Sequence, residues 1–190
     1  MLEGGFMISR SEALKLVEEW IRNDKIRKHV YAVEAIMKGL AKYFNEDENL
    51  WGLVGLLHDL DYDKTKNNML LHTKITADFL KNKLPQEALE AIMSHNELSG
   101  VKPGSKMAYA LIASDQISGL IIATALVMPH KKLEEVKVKS VLKKFKQKDF
   151  ARNIRRDKIT MACEKLGVEL RKLVEISLEA LKQIHETLGL

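Results

Sequence analysis

Apolar residues recur every three or four positions along almost the whole of this 190-residue chain. A period of about 3.6 residues is typical of amphipathic α-helices, whereas a half-buried strand alternates apolar and polar residues. No segment alternates in that way, and only three prolines interrupt the pattern. The length suits one domain, and no low-complexity linker divides it. The sequence therefore predicts an all-α protein with a single domain over residues 1–190.

Capping and breaking residues place the boundaries of the predicted helices. Ser9 and Glu12 have the spacing of a capping box at the start of the first helix. Asp24 is predicted to cap the second helix, which reaches about Phe44. Pro85 suits the first turn of a later helix. Pro129 is predicted to close a long apolar helix, Gly167 to break the chain before the last helix, and residues 61–68 to form a polar loop. The other predicted helices, with these two included, cover about 46–58, 71–83, 85–95, 107–128, 137–147, 157–166 and 168–187.

The composition indicates a folded protein of the cytoplasm. The chain is 46% hydrophobic and 30% charged, which is ordinary for globular proteins and argues against disorder. Its single cysteine, Cys163, cannot form an internal disulfide, which fits a reducing compartment. The opening MLEGGFMISR has an acidic residue and two glycines instead of the basic and apolar regions of a signal peptide.

The segment 107–128 is apolar and long enough to cross a bilayer. Asp115 and Gln116 lie near its middle, and a central Asp costs about 2.5–3.5 kcal/mol on insertion. We therefore interpret the segment as a buried core helix and expect no membrane partner.

Positive charge is concentrated in residues 131–158. This segment has twelve Lys and Arg against four acids, a net charge of +8; the rest of the chain sums to −3, because the total is +5. Such a segment attracts phosphate-bearing ligands, although a solvated helix face explains it at least as well. It matches no known RNA-binding module and has only Phe145 and Phe150 as aromatic residues, so nucleic acid is not the expected partner.

Five of the predicted helices have a histidine or an aspartate on an apolar face or at an apolar end. These residues are His29, His58, Asp59, His72, His95 and Asp115. A single histidine on an apolar face is most often a satisfied core residue, but Asp is almost never buried without a partner. One metal centre would account for all six, since imidazole suits zinc, iron, manganese or nickel and carboxylates can bridge two ions. A cation would also compensate the carboxylate that ends the apolar run GLLHD.

The ordered set resembles the HD-domain superfamily of metal-dependent phosphohydrolases. The residues that carry the resemblance are His29, His58-Asp59 in LLHDLDYDK, His72 in LLHTKITADFL, His95 in AIMSHNE and Asp115 in LIASDQI. The resemblance covers about residues 25–125. It implies a helical bundle of the HD-domain type with a metal-binding core in that range, followed by additional C-terminal helices at about 130–190.

The resemblance also implies roles for these residues. His29, His58, Asp59 and Asp115 would hold a first metal, and Asp59 would bridge to a second one held by the other two histidines. Relatives with three metals often have a further histidine where this chain has Asn96, so two divalent ions (Fe, Mn, Zn or Ni) are expected.

The implied activity is hydrolysis of a small phosphorylated metabolite, with a nucleotide favoured, by metal-activated water. His58, Asp59 and Asp61 are the predicted catalytic residues. Asp61 replaces a glycine that is usual in the family and could orient a ligand or the water, although a solvated loop acid is the simpler interpretation. The residues predicted to bind substrate phosphate, each of which would also suit an exposed surface, are Lys64, Lys74, Arg152, Arg155 and Arg156.

A non-catalytic, nucleotide-binding regulatory module on the same scaffold is the alternative. Related regulatory domains usually lose the metal ligands, whereas this chain keeps all six, so the enzyme is favoured. Pairing with a second copy of the chain to form a homodimer is left open.

Overall fold

The computed structural model describes residues 7–190, and none of these residues forms a strand. The prediction of an all-α fold is confirmed. Residues 1–6, which hold much of the segment that argues against a signal peptide, lie outside the described residues. The helices are α1 (Arg10–Trp20), α2 (Asp24–Phe44), α3 (Glu48–Leu57), α4 (Tyr62–Thr65), α5 (Lys74–Leu80), α6 (Gln86–His95), α7 (Lys106–Leu126), α8 (Val138–Lys146), α9 (Arg156–Leu166), α10 (Leu170–Gln183) and α11 (His185–Leu188).

The starts of the first two helices show how local sequence sets the caps. The capping box is confirmed: the Glu12 backbone N–H donates to Ser9 Oγ, and the Ser9 backbone N–H donates to Glu12 Oε2 at 2.8 Å. The cap of α2 was predicted one residue too late. Asn23 has extended backbone angles and accepts a hydrogen bond from the Lys25 N–H, whereas Asp24 already lies in the first turn.

Two predicted helices are interrupted. The helix predicted at 71–83 spans only Lys74–Leu80, and it starts late because the chain adopts a left-handed conformation at Thr73 (φ 74°). His72 therefore lies in the turn before α5 and not on its face, and α4 occupies part of the predicted polar loop. The helix predicted at 168–187 breaks at Ile184, between α10 and α11.

Helix α7 runs through the centre of the bundle. It contacts α2, α6 and α9, and most of its residues are buried. By length and composition it could cross a membrane, but 61% of its most apolar window is buried inside the protein. Its apolar surface is therefore used to form the core.

One hydrophobic core joins the two halves of the chain. It includes Val33 of α2, Leu57 of α3 and Leu111 of α7 together with Ile159 of α9 and Leu173 of α10. The C-terminal helices thus pack on the same core as the helices that position the predicted metal ligands.

Candidate metal centre

The fold brings the six predicted metal ligands together at one place. His29 comes from α2 and Asp115 from α7, while His58 and His95 stand at the C-terminal ends of α3 and α6. The other two ligands, Asp59 and His72, lie in turns. All six are buried or partly buried. The six residues predicted from the sequence are therefore far apart in the chain and adjacent in space, although only three of them, His29, His95 and Asp115, lie within helices.

Asp59 lies at the centre of the cluster, and its two carboxylate oxygens face different histidines. Oδ2 lies 3.6 Å from His58 Nε2 and 3.8 Å from His29 Nε2. Oδ1 lies 3.2 Å from His72 Nε2 and 3.3 Å from His95 Nε2. The carboxylate thus separates the histidines into two pairs.

Asp115 completes the first of these pairs. Its Oδ1 lies 3.1 Å from His29 Nε2. Ligand atoms of His29, His58 and Asp115 lie within 4.8 Å of one another, as do those of His58, Asp59 and His95. Both groups have donors close enough together to share a cation.

Backbone carbonyls set the orientation of two of the histidines. His58 Nδ1 lies 2.8 Å from the Gly55 carbonyl oxygen, and His95 Nδ1 lies 2.7 Å from the Ile92 carbonyl oxygen. A carbonyl oxygen can only accept, so each Nδ1 carries the proton and donates. In the neutral ring the Nε2 lone pair is then aimed at Asp59, which is the arrangement of a metal-binding histidine.

His58 provides the test of whether a cation fits. Its Nε2 is buried and makes no hydrogen bond with any of residues 7–190. Burial lowers the pKa of His58 to about 4, so the ring is neutral near pH 7. A lone pair that faces a carboxylate without a proton between them is a costly arrangement, which a divalent cation relieves. The residues present therefore fit a metal.

The acidic residues of the cluster are ionised. Burial raises the pKa of Asp59, but His58, His72 and His95 lower it more, and the result is well below the ordinary value. In the same way His29 outweighs burial and lowers the pKa of Asp115 to about 2. Two buried carboxylates that remain charged strengthen the case for a bound cation.

Asp61 has a role that differs from the predicted one. It is fully buried, not a solvated loop acid. Its Oδ1 accepts hydrogen bonds from His72 Nδ1 (2.8 Å) and the Thr73 N–H (3.1 Å), and its Oδ2 accepts one from the Thr76 N–H (2.9 Å). These bonds cap α5 from outside and lower the pKa of Asp61 although burial raises it. With its oxygens so occupied, Asp61 positions His72 and does not orient a ligand or a water.

The contact with Asp61 also affects the charge of His72. Burial lowers the pKa of His72, but hydrogen bonds to Asp59 and Asp61 raise it to about 9. Thr73, the next residue, has a positive φ, which is strained for a β-branched side chain. The hydrogen bond from its N–H to Asp61 stabilises this conformation and thereby the place of His72.

We expect Asp61→Asn to weaken metal binding without abolishing it. One oxygen becomes an N–H₂ group that faces N–H donors, so His72 loses its fixed orientation. Loss of such a partner costs about 10- to 100-fold in metal affinity. Competition with a chromophoric chelator would measure the change. Asp63→Asn is the matched control: Asp63 accepts from the Arg22 and Asn23 N–H groups and touches no histidine of the cluster. Equal affinities of both variants and wild type would contradict the positioning role.

A cavity of about 370 Å³ opens onto the cluster. Its wall includes the predicted ligands Asp59, His72, His95 and Asp115. The other residues that line it are Tyr62, Met69, Asn96, Glu97, Leu98 and Lys158. A larger cavity, about 690 Å³, lies between α2 and α10 and holds none of the six predicted ligands. The smaller cavity is the one where the arranged histidines and carboxylates can reach a substrate.

The five cations predicted to bind phosphate all lie among the described residues, and none of them lines this cavity. Lys64 Nζ lies 3.0 Å from the centre of the Trp20 ring, in a cation–π contact. Lys74 is exposed in the first turn of α5. Arg152 is exposed and pairs with Asp149. These three assignments are not supported, because their charges are solvated or used elsewhere.

The remaining two arginines have structural contacts. The guanidinium of Arg156 donates to backbone carbonyl oxygens that include those of Phe145 and Phe150, and so holds together the loop before α9. Arg155 donates through Nε and Nη2 to Asp157. Arg155 Nη1 also lies 3.7 Å from Oε2 of Glu97, which lines the cavity, so Arg155 stands at the cavity rim.

Sequence reasoning missed Lys158, the cation that does line the cavity. It is one of twelve basic residues in its segment, and no motif distinguishes it from the others.

Two residues that support Asp115 and His29 were also missed. Gln116 Nε2 donates to Asp115 Oδ2 at 2.7 Å, and Ser118 Oγ lies 3.4 Å from His29 Nδ1. Their only signal was a position within one turn of Asp115.

Asn96 was noted only as the residue that replaces a possible further histidine. Its side-chain N–H₂ donates to the carbonyl oxygens of Met69 and His72, at 2.9 and 3.0 Å. It therefore links the end of α6 to the turn that holds His72.

Comparison with known protein families matches residues 26–154 to the HD domain. No significant match was found among the curated proteins or among the solved structures. The match covers more than half of the chain and extends past the predicted range of about 25–125 to include α8 and the loop before α9. The buried His and Asp cluster has the donor set that this family uses for divalent metals. The chain therefore belongs to the HD domain family, a family of metal-dependent phosphohydrolases.

Proposed function

We propose that this protein hydrolyses a small phosphorylated metabolite, with a nucleotide as the favoured substrate class. The observation that carries the proposal is the central carboxylate of Asp59, whose two oxygens face separate pairs of histidines with their Nε2 atoms directed inward. Such a site supplies, when it holds divalent cations, polarisation of phosphoryl oxygens and activation of water.

We propose two ions, held at the two sides of Asp59. His29, His58, Asp59 and Asp115 would hold one, and Asp59, His72 and His95 would hold the other. Iron, manganese, zinc and nickel all suit this mixture of imidazole and carboxylate ligands.

The chain's own residues do the positioning. The Gly55 and Ile92 carbonyl oxygens and the Asp61 carboxylate each contact the Nδ1 atom of one imidazole, so three of the rings are oriented with Nε2 towards Asp59 before a cation arrives. No serine or cysteine nucleophile is required by this chemistry. The only cysteine, Cys163, is buried, and burial raises the pKa of its thiol to about 11.

The cavity supports a substrate with a phosphate and an apolar or planar group. The ligand cluster forms one part of its wall, and Tyr62, Met69 and Leu98 form another. Sites for small molecules commonly combine an apolar lining with a few convergent polar groups. A nucleoside phosphate has both features.

The test is elemental analysis followed by a substrate screen. The protein would be purified without chelators and without a metal-affinity tag, its metal content measured, and nucleoside monophosphates and other phosphate esters offered in the presence of the metal found. We expect close to two equivalents of a first-row metal and release of inorganic phosphate. Metal without turnover of any ester would favour the regulatory module. No metal, with none taken up on titration, would contradict the hydrolase and leave a helical binding module.

We further propose a cytoplasmic location, with a small phosphorylated molecule as the partner and neither nucleic acid nor a membrane. The buried thiol of Cys163 and the use of α7 as a core helix support this. Formation of a homodimer stays a prediction.

A further inference from the structure

We propose that Lys158 is the residue that binds the substrate phosphate, and that Glu97 occupies it until the substrate arrives. The inference rests on the proposed function, because it assigns a substrate contact within the same cavity. Lys158 and Glu97 both line this cavity together with the ligands Asp59 and Asp115. Lys158 Nζ lies 3.4 Å from Glu97 Oε1.

The exposure of the two side chains indicates which of them moves. The Lys158 side chain is 17% exposed, whereas that of Glu97 is 63% exposed. A largely buried lysine is expected to remain in the cavity wall, because burial against its neighbours restricts its rotamers. An exposed glutamate in a three-residue 3₁₀ helix (Glu97–Ser99) can turn towards solvent at little cost.

The start of α9 is tied to the metal ligands, which fixes where Lys158 lies. The Arg155 backbone N–H donates to Gln116 Oε1 at 2.9 Å, and Gln116 Nε2 donates to Asp115 Oδ2. Lys158 is therefore held at a defined place relative to the cluster, as a group that selects a phosphate should be.

Arg155 is a second cation that can hold Glu97 after phosphate has displaced it from Lys158. Its Oε2 lies 3.7 Å from Arg155 Nη1, and the Arg155 side chain is 52% exposed at the rim. When a phosphate takes the Lys158 ammonium, the Glu97 carboxylate can keep its contact with Arg155. The exchange replaces one charge-assisted contact of Lys158 with another, so Glu97 acts as an internal competitor of the anionic substrate.

Two substitutions with opposite expected effects test the proposal. The probe is inorganic phosphate, and its dissociation constant would be measured by calorimetry on the full chain with and without Mn²⁺. Lys158→Met removes the phosphate contact and is expected to raise the dissociation constant about 10- to 100-fold, the range for a charge-assisted hydrogen bond. Glu97→Gln removes the competing carboxylate and is expected to lower it several-fold.

Lys165→Met is the matched control. Lys165 lies two turns further along α9 and is exposed, so the same loss of charge is expected to leave phosphate binding unchanged. Lys158→Arg retains the charge and is expected to recover part of the affinity. Circular dichroism and metal content of each variant show that the fold and the cluster persist.

The outcomes separate this inference from the proposed function. Phosphate binding that Lys158→Met leaves unchanged, or that Glu97→Gln weakens, overturns the inference even if the wild-type protein hydrolyses phosphate esters. Failure of the wild-type protein to bind phosphate also overturns it. Lys158-dependent binding without turnover of any ester would instead uphold this inference and contradict the hydrolase.

Discussion

Asp59→Ala is expected to lose the bound metal and to lower any phosphatase activity by at least about a thousandfold, the several kcal/mol that metal ions contribute to phosphoryl transfer. The Asp59 carboxylate has an oxygen within 4 Å of the Nε2 atom of each of the four histidines of the cluster. Its removal leaves the two pairs of histidines with no shared anionic ligand. Metal content and initial rates on the best substrate of the screen would be measured side by side.

The fold should survive this substitution, because the apolar core does not include the Asp59 carboxylate. Circular dichroism would check that helical content is retained. Asp78→Ala is the control, since Asp78 is exposed on α5 and pairs only with Lys81 among the described residues. Retention of two equivalents of metal by Asp59→Ala would contradict the bridging role directly.

Gly55→Ala is expected to destabilise the protein by about 1–3 kcal/mol and to lower the Tm by about 2–10 °C. A Cβ atom at Gly55 would lie 2.8 Å from the Val33 carbonyl oxygen and 2.9 Å from backbone atoms of Glu34. Those atoms belong to α2 and cannot rotate away, so α2 and α3 must separate. Because His29 lies on α2 and His58 follows α3, metal affinity should fall as well.

Gly52→Ala, one turn earlier in α3, is the matched control. A Cβ atom at Gly52 would lie 2.5 Å from Cε of the Lys38 side chain. That side chain is flexible and can move aside. Replacing a helical glycine by alanine also favours the helix by about 0.5–1 kcal/mol. We expect a Tm near or slightly above that of wild type. Thermal unfolding of both variants gives the comparison, and an equal loss of stability in the two would show that α2 and α3 do not meet most closely at Gly55.

Much of the fold could be predicted because helical periodicity and caps are local. The capping box at Ser9 and Glu12, the break at Gly167 and the long helix that became α7 all depend on residues within one or two turns. The helix predicted at 71–83 was too long because its start depends on a contact between residues that are distant in the chain. Its start is set by Asp61, whose carboxylate caps Thr73 and Thr76 from 12 and 15 residues away.

The sequence by itself determined the all-α fold. It also singled out the six residues of the cluster, because a polar residue within or next to an apolar helical segment tends to be buried and then needs a partner. Only the tertiary structure decided how the histidines are divided between the two oxygens of Asp59 and that Asp61 supports His72. It also decided that Lys158 faces the cavity, whereas Arg156 holds a loop together. Periodicity specifies the buried face of each helix. The angle and depth at which two helices meet depend on packing between distant segments, such as the close approach of α3 to α2 at Gly55.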